Sequence, residues 1–383
     1  MKKYILYTAA IMAITVSSCR KIETDGEIQV VVVNGGGGGG GSTTGQTITL
    51  QGRINADTVL RKANSYILKG IVYMVGNHTM TIEAGTVIKG SFSGSDVAAL
   101  VITRGSKIIA PGTATDPIIF TSLSPNPQSG DWGGIVLCGK AGYNLSYNGT
   151  AGLYQVEGGI DNANGDGLAG SGDAVAPTPV ANDNSGVLQY VRIEYAGYAF
   201  QPDKEINSLT MAAVGSGTII DHIQVTYAKD DAFEWFGGSV NCSYLIAYKT
   251  QDDDFDTDNG YNGKVQFGLV LRDSLIADIS TSEAFESDGN ATGTTAAPKT
   301  TAIFSNITAI GPRATLNNLG STLFRGATHI RRNSGISIFN SIIMGWPRGI
   351  EIDATTGTST ALNIEDSTLR LRNITLAGNT VNT

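Results

Sequence analysis

Apolar residues in this chain come in short runs separated by turn residues, with no helical stripe. Tyr66–Leu68, Val72–Val75, Met80–Ile82, Leu100–Ile102, Ile108–Ala110 and Pro117–Thr121 each end at a Gly, Asn or Pro break. Runs this short, rich in β-branched residues and without a 3.6-residue period, predict strands. The pattern resumes at Leu188–Ile193 and continues through Ile219–Ile223, Leu245–Ala247, Phe267–Leu271, Ile303–Ile307, Ile338–Ile342 and Leu371–Thr375. Between the two groups, about residues 144–185, the chain turns rich in Gly, Asn and Asp with few core residues. That segment reads as a long loop between coils, functional or mobile as loops of this length usually are.

The strand-rich part repeats. Asp230–Gly260, shifted by 22 residues, lays Asp230 on Asp252, Asp231 on Asp253, Phe233 on Phe255, Glu234 on Asp256 and Gly238 on Gly260. A looser third copy, Phe285–Gly289, follows. A fixed period of this size signals a solenoid. The predicted fold class is all-β, a right-handed parallel β-helix over residues 47–383 with a loop insertion near 144–185. Phe233, Phe255 and Phe285 are expected to stack inside it, because large apolar residues repeated in register fill cores. Asn306, Asn340 and Asn373 recur at 34- and 33-residue steps and predict an inward or corner Asn ladder, each amide bonding the next coil. The last strand run lies close to Thr383 with no polar cap after it, so either this end is that of a fragment or a protein partner is expected to cover the final coil.

The first residues read as an address. Lys2 and Lys3 precede the apolar run Tyr4–Val16, which is too short to span a bilayer. Val16-Ser17-Ser18-Cys19 has the form of a lipobox, so residues 1–18 are expected to be a lipoprotein signal peptide and Cys19 an acylated membrane anchor. Residues 19–46, with seven glycines at 35–41, form a flexible tether. The early acids after Cys19, Glu23, Asp25 and Glu27, resemble the surface-export signal of Bacteroidota lipoproteins, which implies a body held at the outer membrane and exposed at the surface.

Composition narrows the chemistry. The chain carries 34 acidic against 26 basic residues, a net charge of −8. It therefore has no electrostatic footprint for nucleic acid. Cys138 and Cys242 lie in strand runs and read as free buried thiols, and three histidines without a Cys pattern argue against zinc. Stacking the repeat would align its acids into ladders, which need a cation, a base or a proton to offset their repulsion. Asp254-x-Asp256-x-Asp258-Asn259-Gly260 is similar to the start of a calcium loop, although Val265 replaces its closing acid. Candidate calcium ligands are Asp231, Glu234, Asp253, Asp254, Asp256 and Asp258; the alternative is a solvated acidic corner served by Lys229, Lys249 or Lys264. Trp235, Tyr261, Arg325 and Arg331 are candidate glycan contacts.

The blocks SGDWGGIVLCGKA, VRIEYAGY, DDAFEWFGGSVN, TQDDDFDTDNGYNGKVQF and SIIMGWPRGIEI resemble a family of Bacteroidota surface lipoproteins with a pectin-lyase-like β-helix. The resemblance spans roughly residues 47–375. It implies fold and address and carries no catalytic residues. Three readings of function stand: a surface-anchored protein binding polysaccharide or making envelope contacts, a Ca²⁺-dependent polysaccharide lyase or glycoside hydrolase, and a structural adhesin. The residue set of a polygalacturonase is absent, since no Gly-His-Gly follows the Asp-Asp pairs.

Overall fold

The computed structural model describes strand Val31–Val33 and residues 45–383, apart from 202, 203, 314, 316 and 319. Cys19, the signal peptide and most of the tether lie outside the described residues. The body is a parallel β-helix. Its strands stack coil on coil in continuous parallel register; among the described residues of this main sheet only Val31–Val33 pairs antiparallel, against 47–49. Among the described residues, helix is limited to the single turn Leu362–Glu365 and a 3-10 turn at Gly94–Asp96.

Each coil presents three strand segments. The first sheet runs through Ala99–Ile102, Ile135–Cys138, Leu209–Ala212, Phe233–Phe236, Phe255–Asp258, Phe285–Asp288, Thr328–Arg331 and Glu351–Ile352. The second and third sheets share long strands: Gly186–Glu194, Ile219–Thr226, Asn241–Tyr248, Lys264–Leu271, Ile303–Ile310, Ser337–Met344 and Leu371–Ala377. Each long strand bends at one residue with positive φ, so its first half belongs to the second sheet and its second half to the third. The bend residues are Tyr190, His222, Tyr244, Phe267, Asn306, Asn340 and Asn373, with φ between 47° and 62°.

Alternation places every second side chain inside. In the first sheet Leu209, Phe233, Phe255 and Phe285 form one inward row, all buried. Phe233 and Phe255 stack at 5.8 Å between ring centroids, and Phe255 and Phe285 meet tilted by 41° at 5.4 Å. Trp235 lies two residues after Phe233, so it also points inward, stacking on Tyr261 at 5.2 Å. Cys138 and Cys242 are free and buried, and burial pushes both thiols up to about 12.

Two expectations change. The asparagines stand at the bend with their side chains outside; Asn373 Nδ2 donates to Asn340 Oδ1 at 3.0 Å, whereas Asn306 instead accepts from Gln266 at 3.3 Å. The insertion is better packed than its composition suggests. It folds into two small antiparallel pairs, Ser146–Tyr147 with Thr150–Ala151 and Leu153–Gln155 with Leu168–Gly170. Tyr143, Tyr154, Val156, Ile160 and Ala169 make a second apolar core on the outside of the first sheet, against Val101, Val136, Cys138, Ala212 and Phe236. Ion pairs clamp it: Arg53 to Asp166 at 2.7 Å, and Arg104 to both carboxylate oxygens of Asp173 at 2.9 and 2.7 Å. The Tyr73 hydroxyl donates to the carbonyl of Ile160 at 2.5 Å.

Candidate functional site

The chemistry of the molecule collects on the outer face of the first sheet, beyond the edge of the insertion. One outward row, traced through the register, reads Val101, Val136, Thr210, Glu234, Asp256, Glu286, His329, Glu351. A second outward row pairs Phe236 with Asp258 and Asp288 with Arg331. The turns entering these strands add Asp230 and Asp231, Asp252 and Asp253, and Glu283.

Backbone bonds fix the turn acids. Asp231 Oδ1 accepts the N–H of Asp253 at 2.8 Å, and Asp253 Oδ1 accepts that of Glu283 at 2.6 Å. Each acid thus ties its coil to the next, which holds the carboxylates in a column. Three triads result, each with oxygens within 4.8 Å of one another: Asp230, Asp231 and Asp252; Asp231, Glu234 and Asp256; Asp253, Glu283 and Glu286. At 4.8 Å, two like charges repel by about 3.5 kcal/mol at an effective dielectric of 20.

Few donors answer these acids. Asn207 donates its amide to Glu234. Arg331 bonds Glu286 and, at 2.8 Å, Asp288; Arg332 reaches Asp288 at 2.6 Å; Arg325 holds both oxygens of Glu351 at 3.0 and 2.7 Å. His329 is buried, 3.8 Å from Glu283 and 3.5 Å from Asp353. Buried oxygens of Asp252, Asp256 and Glu283 have no hydrogen-bond donor. Glu283 is wholly buried. Burial first, and neighbouring carboxylates second, push Asp231, Glu234 and Asp256 well above the usual carboxylate range. Burial likewise raises Asp252 to about 8 and Asp288 to about 6. Without a cation, burial and mutual repulsion favour the protonated forms of these groups.

The structure redistributes the candidates read from sequence. Asp231, Glu234, Asp253 and Asp256 come together in the triads. Asp254 does not: it precedes the strand and turns inward, where Arg272 Nε bonds its Oδ2 at 2.9 Å with both side chains fully buried. Asp258 lies on the same outward face as Asp256 but is held by Asn259, whose backbone and side-chain N–H groups each donate at 2.6 Å. The calcium-loop spacing is therefore a strand, in which alternate acids share a face. Trp235 and Tyr261 are fully buried, so neither can touch a glycan; the Tyr261 hydroxyl donates to the carbonyl of Val240 at 2.9 Å. Arg325 and Arg331 border the acidic face and remain partly exposed.

Several residues escaped the sequence reading. Glu283 takes the place of Asp253 one coil on, and extending the Phe285 copy two residues upstream would have exposed it. Arg272 sits beneath the site, donating to the backbone carbonyls of Thr250, Asp252 and Glu283 and lying over the rings of Phe324 and Trp346. It thereby fixes the turns that carry Asp253 and Glu283. No local motif announces this role.

The donor set is all oxygen, matching a hard cation of the calcium type in preference to zinc or copper. The orphaned oxygens of Asp256 and Glu283 fit such an ion. A family model described as a pectate-lyase like beta helix domain matches residues 52–383. No curated protein matches the chain.

Proposed function

Because the chain belongs to the pectate-lyase-like β-helix family, we propose that it is a surface-anchored polysaccharide-binding protein that engages its ligand through Ca²⁺ on the acidic face. The observation that carries the cation is the Asp253, Glu283 and Glu286 triad, where the wholly buried Glu283 leaves one oxygen without a donor. Asp231, Glu234 and Asp256 supply a second oxygen set one coil away. Calcium takes six to eight oxygens. Three carboxylates leave coordination positions for the hydroxyls or carboxylates of a sugar chain, with Arg325 and Arg331 beside them. In this reading Cys19 carries the lipid that holds the body at the outer membrane, and the tether gives it reach.

A second reading rests on one feature. Glu234 and Asp256 are adjacent carboxyls with oxygens within 4.8 Å, one accepting from Asn207. A pair so placed can divide proton donor and nucleophile roles in glycoside hydrolysis. A glycan array probed with the mature chain, with and without EDTA, tests the first reading. Binding that EDTA abolishes supports it; absence of binding to every glycan ends it. Release of reducing sugar that Asp256→Asn abolishes without loss of fold would favour hydrolysis instead.

A further inference from the structure

The bend between the second and third sheets carries a second, unrelated feature. Its backbone is left-handed in every coil from Tyr190 to Asn373. Asparagine is among the few non-glycine residues that favour this conformation, and bulky side chains there are outliers. The last three coils use Asn306, Asn340 and Asn373. The four before them use Tyr190, His222, Tyr244 and Phe267. The same bend therefore tolerates asparagine, and nothing in the fold demands aromatics. Strain of this kind gathers at functional places.

The four rings form a continuous stack, with centroids 4.2, 4.2 and 4.8 Å apart. Tyr244 and Phe267 remain 44% and 40% exposed. Five residues along each strand a second left-handed position recurs at Tyr195, Tyr227 and Lys249. Tyr195 and Tyr227 stack at 5.5 Å, and the Lys249 ammonium lies 5.5 Å from the ring centre of Tyr227. Between the two rows runs a strip of four strand residues, about 13 Å wide. Along its Tyr190 side lies a groove of about 490 Å³, which Thr113, Ala114 and Pro117 help to line and which reaches Asn306. Its floor mixes Ile246 and Leu269 with Arg192 and Gln224.

The polar groups at and beside this trough are hydrogen-bonded to one another. Arg192 pairs with Glu194, His222 with Asp221 at 2.9 Å, and Lys249 with Asp273 at 3.1 Å. Of these groups Arg192 Nε alone is left without a hydrogen-bond partner, and it is buried, so a charged ligand would have to break one of these pairs. The surface instead offers ring edges, aliphatic side chains, amides and phenol hydroxyls in rows that advance one coil at a time. That suits a polymer whose units are amphipathic and uncharged.

We propose that this trough is a separate binding platform for a neutral polysaccharide chain lying along the coil axis. It shares no residue with the acidic face and needs no cation. The rings present mainly edges, so contact comes from lateral packing and hydrogen bonds; only the end rings have a free face.

The test is native affinity electrophoresis of the whole chain in EDTA, in gels containing hydroxyethylcellulose, laminarin, galactomannan or dextran. The variants are the double substitution Tyr244→Asn, Phe267→Asn and, on the other face, Glu283→Gln. Asparagine is what this bend carries elsewhere, so the double variant keeps its fold, checked by its melting temperature. Retardation of the wild type by at least one polysaccharide, weakened at least tenfold in the double variant and unchanged in Glu283→Gln, supports the proposal. Failure of all four polymers to retard the wild type overturns it, as does equal retardation of the double variant. So does a double variant that keeps polysaccharide retardation and loses only co-sedimentation with phosphatidylcholine vesicles.

Discussion

The outer face of the first sheet is two surfaces in one register. At Val101, Val136, Cys138 and Ala212 it is apolar and covered by the insertion. At Glu234, Asp256 and Glu286, along the row of Val101 and Val136, it is acidic and no longer roofed by that core. Beneath both, the inward row stays apolar from Leu100 to Phe285. The difference shows how a solenoid separates its tasks. Alternation sends odd and even positions to opposite sides, so inward residues hold the fold while outward residues change freely from coil to coil.

Among substitutions, the largest effect should come from the part both surfaces share. Phe255→Ala opens a cavity in the stack of Phe233, Phe255 and Phe285 and should cost about 3–5 kcal/mol in urea denaturation. An effect under 1 kcal/mol would mean the inward row does not support both halves.

A change of pH should act on the acidic half alone. An acid that is neutral in the fold and ionised when unfolded stabilises the fold fully below the unfolded carboxylate range, near 4. That stability is lost as pH rises through about 6 for Asp288 and about 8 for Asp252. The metal-free chain should therefore lose stability steadily between pH 4 and pH 8, about 3 kcal/mol of it through Asp288 and about 6 kcal/mol through Asp252. Calcium should restore more at pH 8 than at pH 5, as thermal melts with and without EDTA would report. Equal restoration at both values would contradict the assignment.

Arg104→Ala tests the covered half. It frees the carboxylate of Asp173 and should cost about 2 kcal/mol, less than a fully buried pair because Asp173 is a quarter exposed. Limited proteolysis should cut within 143–185, while calcium binding measured by calorimetry stays as in the wild type. The smallest effect is Glu283→Gln. Removing one charge from its triad should raise metal-free stability at neutral pH by about 1 kcal/mol and shrink the calcium-induced rise in melting temperature.

Much of this was legible because stacking repeats itself in sequence. The Phe233, Phe255 and Phe285 row and the acids beside it could be read from one alignment of the chain with itself. The same rule should have placed Trp235, which shares the parity of Phe233 and so points inward. Asp254 differs for a related reason: it sits just ahead of the strand, where alternation gives way to the turn and Arg272 draws it inward. Arg53 and Arg104 were opaque. Their partners Asp166 and Asp173 lie 113 and 69 residues away, and no period links them. The aromatic bends were hidden by their spacing, since Tyr190, His222, Tyr244 and Phe267 share a backbone conformation rather than a residue type.

The stacked bend has one more consequence. Its rings are related by a single coil step, so moving along the axis by one coil brings one ring nearly onto the next. A repeating ligand on such a track has several near-equal registers, which adds positional entropy to its bound state and lets it shift without leaving. The track is finite: the 113–117 loop stands at Tyr190, and the rings give way at Asn306.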